Sequence, residues 1–341
     1  MKKIFISLIV ISQFLSLSCG DGVTSPIGNY EISDHILGGY FVTSIAFDSK
    51  NTAWIGTFDQ GIIKYDGTTT HFDNSNSELP DSLVIWSLAV DHNDVLWIAS
   101  TKGLIKFEND KFHIYNKNNA PLVRDNVLAL TVDHNNSIWF SSSVFREGGI
   151  MNFDGINWKL FTPQNSSLPG SLINDITIDD DNNVWATINE GVNSCSIVKI
   201  NGDNIKVFNE NETNIPLYYL RSICAGSNNN IYASLDYSLS SMYDPTRPNI
   251  IMYNGNDWKV IDPVDENGER LSNVGKIATD LNGNLWTATS EGIAIYNGQR
   301  WSKLNLDVDF SLTYTSSITP DRNNNIWIAT GEGIYVLNEE E

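Results

Sequence analysis

Residues 88–100 read LAVDHNDVLWIAS, and six further segments align with them without a gap. They are IAFDSKNTAWIGT (45–57), LTVDHNNSIWFSS (130–142), ITIDDDNNVWATI (176–188), ICAGSNNNIYASL (223–235), IATDLNGNLWTAT (277–289) and ITPDRNNNIWIAT (318–330). Each carries one anchor aromatic: Trp54, Trp97, Trp139, Trp185, Tyr232, Trp286 and Trp327, spaced 43, 42, 46, 47, 54 and 41 residues apart. Six residues before the anchor stands Asp48, Asp91, Asp133, Asp179, Gly226, Asp280 or Asp321. Only the fifth segment departs at both positions.

Each segment reads as an antiparallel meander. Alternating apolar residues make a first strand, an Asn/Asp/Gly turn follows, and the anchor opens a second strand. Side chains alternate along a strand, so the anchor shares a face with the residue two further on. That residue is always small: Gly56, Ala99, Ser141, Thr187, Ser234, Ala288 or Ala329. A large ring beside a small residue is what interdigitating sheets need. A third strand then leads into an Asp-Gly or Asn-Gly hairpin, as in Tyr65-Asp66-Gly67 and Tyr296-Asn297-Gly298. A fourth strand closes the unit, for example Trp158-Lys-Leu-Phe161. Units of this length with four strands are propeller blades. The fold class is all-β, a seven-bladed β-propeller of four-stranded antiparallel blades.

The seventh unit ends near Asn338 without a fourth strand. In the complete units that strand lies 17 to 19 residues before the next turn, at Phe72, Tyr115, Phe161, Phe208, Ile261 and Leu304. Counting back 18 from Asp48 reaches Tyr30, within Asn29-Tyr-Glu-Ile-Ser33. The N-terminal strand is therefore expected to complete the last blade, lock the ring and remove its exposed edges.

Composition narrows function by exclusion. The 341 residues are 41% apolar and 18% charged, with 10 Trp and 13 Tyr, which rules out a disordered chain or a coiled coil. The charge is −20, from 41 acidic and 21 basic residues, so nucleic acid and anionic lipid surfaces are repelled. Residues 1–18 have the form of a signal peptide. Lys2 and Lys3 precede a mostly apolar run over residues 4–17, too short to span a bilayer. Leu15-Ser-Leu-Ser-Cys19 resembles a bacterial lipobox, although Ser16 stands where Leu is usual. This predicts lipidation of Cys19, a tether over 19–27, the propeller over 28–338 and an acidic tail over 339–341. The expected location is the outer membrane, on its periplasmic or surface face, held by the lipid alone. Cys195 and Cys224 are expected to remain unpaired, because the fold puts them at opposite ends of their strands.

The blade signature of turn Asp, Asn/Gly-rich residues, Leu/Ile/Val-Trp, Gly and a Tyr/Phe-Asp/Asn-Gly hairpin resembles the two-component regulator propeller repeat. Asn76-Ser-Glu-Leu-Pro80 and Asn165-Ser-Ser-Leu-Pro169 supply its linker. The resemblance covers residues 28 to 338. It implies an extracytoplasmic sensor-type propeller, and here a stand-alone one, since no kinase module follows in the sequence to Glu341.

Candidate chemistry is sparse. The Asp-rich turns, Asp179-Asp-Asp181 above all, look like calcium loops, but no carboxylate stands at their later positions, and Asp and Asn cap such turns by themselves. No metal, cofactor or catalytic residue is expected. The five histidines, His35, His71, His92, His113 and His134, form no motif, and there is no nucleophile elbow or phosphate loop. An enzymatic alternative is a lyase or hydrolase working in the central channel, as in the similar virginiamycin B lyases. Only His35 falls near that face. A third possibility is a purely structural subunit of an outer-membrane assembly.

Recognition is the leading expectation, on the face made by the loops between second and third strands and by the inter-blade linkers. Three such loops are expanded, over 143–148, 189–196 and 236–249. They offer Phe145, Arg146, Glu190, Tyr237, Tyr243 and Arg247, and the linkers add Trp86, Tyr219 and Arg221. Aromatic planes beside Arg and carboxylates suit an oligosaccharide or a surface or periplasmic protein.

Overall fold

A computed structural model of the chain describes residues 28–144, 147–191, 194–236, 247–265, 267–306, 308 and 315–340. Among them are seven sheets, each of four antiparallel strands. Six blades are continuous in sequence. Blade one, for instance, consists of Val42–Phe47, Ala53–Thr57, Ile62–Tyr65 and Thr69–Phe72. Blade seven takes Thr315–Pro320, Ile326–Thr330 and Gly333–Glu339 from the end of the chain and Tyr30–Ile36 from its beginning. The closing pairs run from Tyr30 opposite Glu339 to Ile36 opposite Ile334. The closing strand runs three residues further than the sequence suggests, to Ile36, and Ser33 Oγ reaches across to the Val336 carbonyl at 3.1 Å. One turn of α-helix, Glu210–Thr213, joins blades four and five, nucleated by a capping box between Asn209 and Glu212.

The apolar cores lie between blades, and the anchors are their centres. Trp54 meets Phe107 of the next blade at 5.3 Å, and Trp185 meets Tyr253 at 5.6 Å. Across the closure, Trp327 packs edge-on against Phe47 at 5.2 Å, and Tyr30 stands edge-on to the fully buried Trp286 at 4.7 Å. The small residue after each anchor makes room for the neighbouring blade. At Gly56 a Cβ would come within 2.5 Å of Ile85.

The turn aspartates have two jobs. In Asp179, Oδ1 accepts the amides of Asp181 (3.1 Å) and Asn183 (2.7 Å), while Oδ2 accepts the Trp185 indole N–H at 2.8 Å. The same indole bond recurs at Asp91–Trp97 (3.0 Å), Asp133–Trp139 (2.9 Å) and Asp280–Trp286 (2.9 Å). Both carboxylate oxygens are thus engaged by protein donors. Blade five shows why its two departures go together: a Cβ at Gly226 would lie 2.6 Å from the Tyr232 ring. The phenol ring fills the space that Asp fills elsewhere.

These turns also latch each blade to the next. The third residue after the Asp adopts a left-handed conformation, at Asn51, Asp94, Asn136, Asn182 and Asn324, which Asn and Asp tolerate best. Its side-chain oxygen accepts an amide from the preceding blade. Ser49 donates to Asp94 (2.8 Å), His92 to Asn136 (2.8 Å), His134 to Asn182 (2.7 Å), Leu281 to Asn324 (2.7 Å) and Arg322 to Asn51 (2.8 Å). The two junctions of blade five differ. At one, Asn229 Nδ2 donates to Asp181 at 2.8 Å. At the other, Gly283 replaces the latch residue, and a Cβ there would press on Ser227 Oγ at 2.7 Å.

Candidate functional site

The inner strands carry the feature that builds the site. In five blades the first strand slips register at one place: between Val42 and Ser44, Ile85 and Ser87, Ile173 and Asp175, Leu220 and Ser222, and Thr315 and Ser317. The extra residue at each bulge is Thr43, Trp86, Asn174, Arg221 or Ser316. A bulge leaves its residue unpaired and re-aims the side chain. All five line one cavity of about 620 Å³ at the mouth of the central channel. Leu128 and Lys276, just ahead of the first strands of blades three and six, line it too, with Phe41, Phe58, Tyr219 and Asp236.

The walls differ in character. Phe58 lies 5.6 Å from Phe41 and 6.2 Å from Trp86, and the Trp86 indole is fixed by donating to Asn126 Oδ1 at 3.1 Å. The opposite wall is polar. Arg221 pairs with Asp236 at 3.1 Å, and the Asp236 amide donates to the Tyr219 carbonyl at 2.8 Å. Below, Lys276 crosses from blade six to Asp175 of blade four at 3.2 Å. Asp175 also accepts the Ser222 hydroxyl (2.8 Å) and the Ile223 amide (3.1 Å) from blade five. This strut lies in a deeper polar cavity of about 220 Å³ whose lining includes Ser44, Ser87, Ala129 and Ser317.

Of the residues singled out from sequence, Trp86, Tyr219 and Arg221 stand on the cavity wall. Glu190 turns onto its own linker, where its carboxylate accepts the Leu172 amide at 2.9 Å and contacts the Ser171 amide. Arg247 lays its guanidinium over the Tyr218 ring at 3.8 Å. Phe145, Arg146, Tyr237, Tyr243 and Cys19 lie outside the described residues. In blade three the expanded segment is an extension of the strands, since Ser143 pairs with Gly148 and Val144 with Glu147. His35 stacks on Tyr335 of the closing pair at 4.2 Å.

Phe41, Phe58, Leu128, Asn174, Asp236, Lys276, Thr43 and Ser316 are additions from the structure. The aligned repeats do hold a signal for four of them, Thr43, Leu128, Asn174 and Ser316. The first aligned position is always Ile or Leu, at 45, 88, 130, 176, 223, 277 and 318. Two residues earlier the column reads Thr43, Trp86, Leu128, Asn174, Arg221, Gly275, Ser316, with no type repeated. A position that the scaffold leaves unconstrained in every copy is free to carry function.

Both described thiols are free. Burial pushes the Cys195 thiol up to about 11, and burial followed by the nearby Asp175 carboxylate raises Cys224 as well. Neither is a thiolate nucleophile at neutral pH. No helix among the described residues is long and apolar enough to cross a membrane.

No family model matches the sequence, and no curated protein matches it. Solved structures do share the fold. The extracellular domain of a hybrid two component system from B. thetaiotaomicron superposes with a TM-score of 0.65 at 21% identity, over 89% of this chain and 40% of that one. Virginiamycin B lyase from Staphylococcus aureus gives 0.68 at 15%, over 91% and 99%. YCF48 bound to D1 peptide gives 0.65 at 12%, over 92% and 97%. The chain spans about two fifths of the length of the sensor domain. At these identities the shared property is the propeller fold: this chain is similar in architecture to extracellular sensor domains, to a lyase and to a peptide-bound propeller.

Proposed function

We propose that the protein is a non-catalytic recognition module working outside the cytoplasm, with its ligand seated at the channel mouth. The observation that carries this reading is the row of bulges: five scaffold irregularities recur at one strand position, and each delivers a different side chain to the same cavity. The ligand is an oligosaccharide or a segment of a surface or periplasmic protein. Support comes from extracellular sensor domains and from a peptide-bound propeller of the same architecture. The lyase alternative finds less support. The cavity wall carries no histidine among the described residues, and the acids near the mouth, Asp175 and Asp236, are engaged by Lys276 and Arg221.

The test screens the protein against glycans and against candidate surface proteins, then repeats each positive with Trp86→Ala and Arg221→Ala. Each substitution is expected to weaken binding by about 2 kcal/mol, roughly 30-fold, with the protein still folded at the assay temperature. An interaction that survives both changes would move the site off the mouth.

Export and anchoring belong to the same proposal. Cys19→Ala is expected to shift the protein from the membrane fraction to the soluble fraction, or to block its maturation. A variant that stays membrane-bound and is processed normally would rule out the lipid anchor.

A further inference from the structure

We infer that the mouth takes one large apolar side chain of an extended peptide, enclosed by Phe41, Phe58 and Trp86; this rests on the mouth being the binding site. Ring inclination carries the inference. Phe58 is tilted 52° to Phe41 and 77° to Trp86. Rings so inclined touch one another and share no common platform, and all three line the cavity with faces and edges in different planes. A pyranose is best received by a flat face with polar groups at its rim, and neither Phe has a polar handle. An aliphatic side chain packs against surfaces so angled, and an aromatic one adds edge-to-face contacts. Phe41 and Phe58 are 39% and 44% exposed, so they present wet apolar surface that an occupant would cover.

The polar wall fits the remainder of a peptide. Asn174 and the Arg221–Asp236 pair put amide, guanidinium and carboxylate groups across the cavity from the rings. Those groups complement backbone N–H and C=O as the chain passes. Charge excludes an acidic ligand: Arg221 and Lys276 are each balanced by a carboxylate, and the whole chain stands at −20. The volume, about 620 Å³, is that of a small-ligand pocket and holds one large side chain with its flanking backbone.

The experiment pans a phage-displayed library of random dodecapeptides against the full chain, with a glycan array run in parallel. Enriched peptides are expected to share one Phe, Trp, Leu or Ile position. Synthetic copies should lose affinity tenfold or more when that residue becomes Ala, and equally when the protein carries Phe58→Ser or Phe41→Ser. Both protein positions are exposed, so these variants are expected to melt like the wild type. Peptides indifferent to both Phe changes but lost with Arg221→Ala would overturn the aromatic hollow while leaving the mouth as the site. Peptides indifferent to all three variants, or no binder of either kind, would overturn both readings. A glycan lost with Trp86→Ala, with no peptide enriched, would overturn the peptide class alone.

Discussion

Deleting the chain up to and including Ile36 is expected to lower the melting temperature by on the order of 10 °C and to make the product aggregate on heating. The deletion strips blade seven of its outer strand and leaves Gly333–Glu339 as an unpaired edge. It also removes Tyr30 from its edge-on contact with Trp286, and takes Ile32 and Ile36 out of two inter-blade cores. Three apolar side chains at about 2 kcal/mol each amount to a large share of the ~5–15 kcal/mol that typically holds a fold together. Calorimetry with light scattering measures both effects. A synthetic peptide of residues 29–36 added in trans should recover part of the loss. An unchanged melting temperature would mean that the ring does not depend on this strand.

Asp179→Ala is expected to cost about 3–5 kcal/mol, read as a shift of the denaturant midpoint. Asp179 is only 1% exposed, and its carboxylate accepts from two amides, the Asn183 side chain and the Trp185 indole, with Lys199 Nζ at 3.6 Å. Alanine strands the Asn183 and Trp185 donors, which are buried at 2% and 1% exposure. Asp321→Ala in blade seven provides the contrast, because the Trp327 indole N–H already has no hydrogen-bond partner there. Its loss should be smaller by about 1–3 kcal/mol, because among the described residues Asp321 has neither the indole bond nor a lysine like Lys199, although Asn51 Nδ2 adds one donor at 3.2 Å. Equal losses in the two blades would show that the indole bond and the lysine together contribute no more than the Asn51 contact.

The blade count, the closing strand and the interleaving of large and small residues were legible in the sequence because each is written in local periodicity. The latches were not. Asn136 and Asn182 read as local turn residues, and nothing in the sequence of one blade says that their oxygens serve amides of the blade before. The site was legible in part. Trp86, Tyr219 and Arg221 are reachable as linker residues, whereas weighting loops by length favoured Glu190, which folds back onto its own linker. Phe58 and Lys276 sit beside short or ordinary connections, Asp236 opens the longest loop but is not one of its aromatics or its Arg, and only the closed ring brings the three together. The bulge itself is invisible in hydrophobic patterning, since it adds a residue without breaking the repeat that follows.

The direction of the closing strand sets what the protein can reach. Tyr30 pairs with Glu339 and Ile36 with Ile334, beside Gly333 at the mouth end, so both ends of the described chain leave on the side opposite the cavity. A strand of seven residues spans ~20 Å, which is the least height of the wall between those ends and the mouth. Were the face that carries these ends turned to a bilayer, the mouth would open toward the bulk. A partner rooted in the same leaflet would need at least six or seven extended residues, at about 3.3 Å each, merely to climb the side before engaging. Free segments and partners standing on an opposing surface meet no such barrier. The same polarity makes either terminus a suitable handle for fixing the protein to a sensor surface.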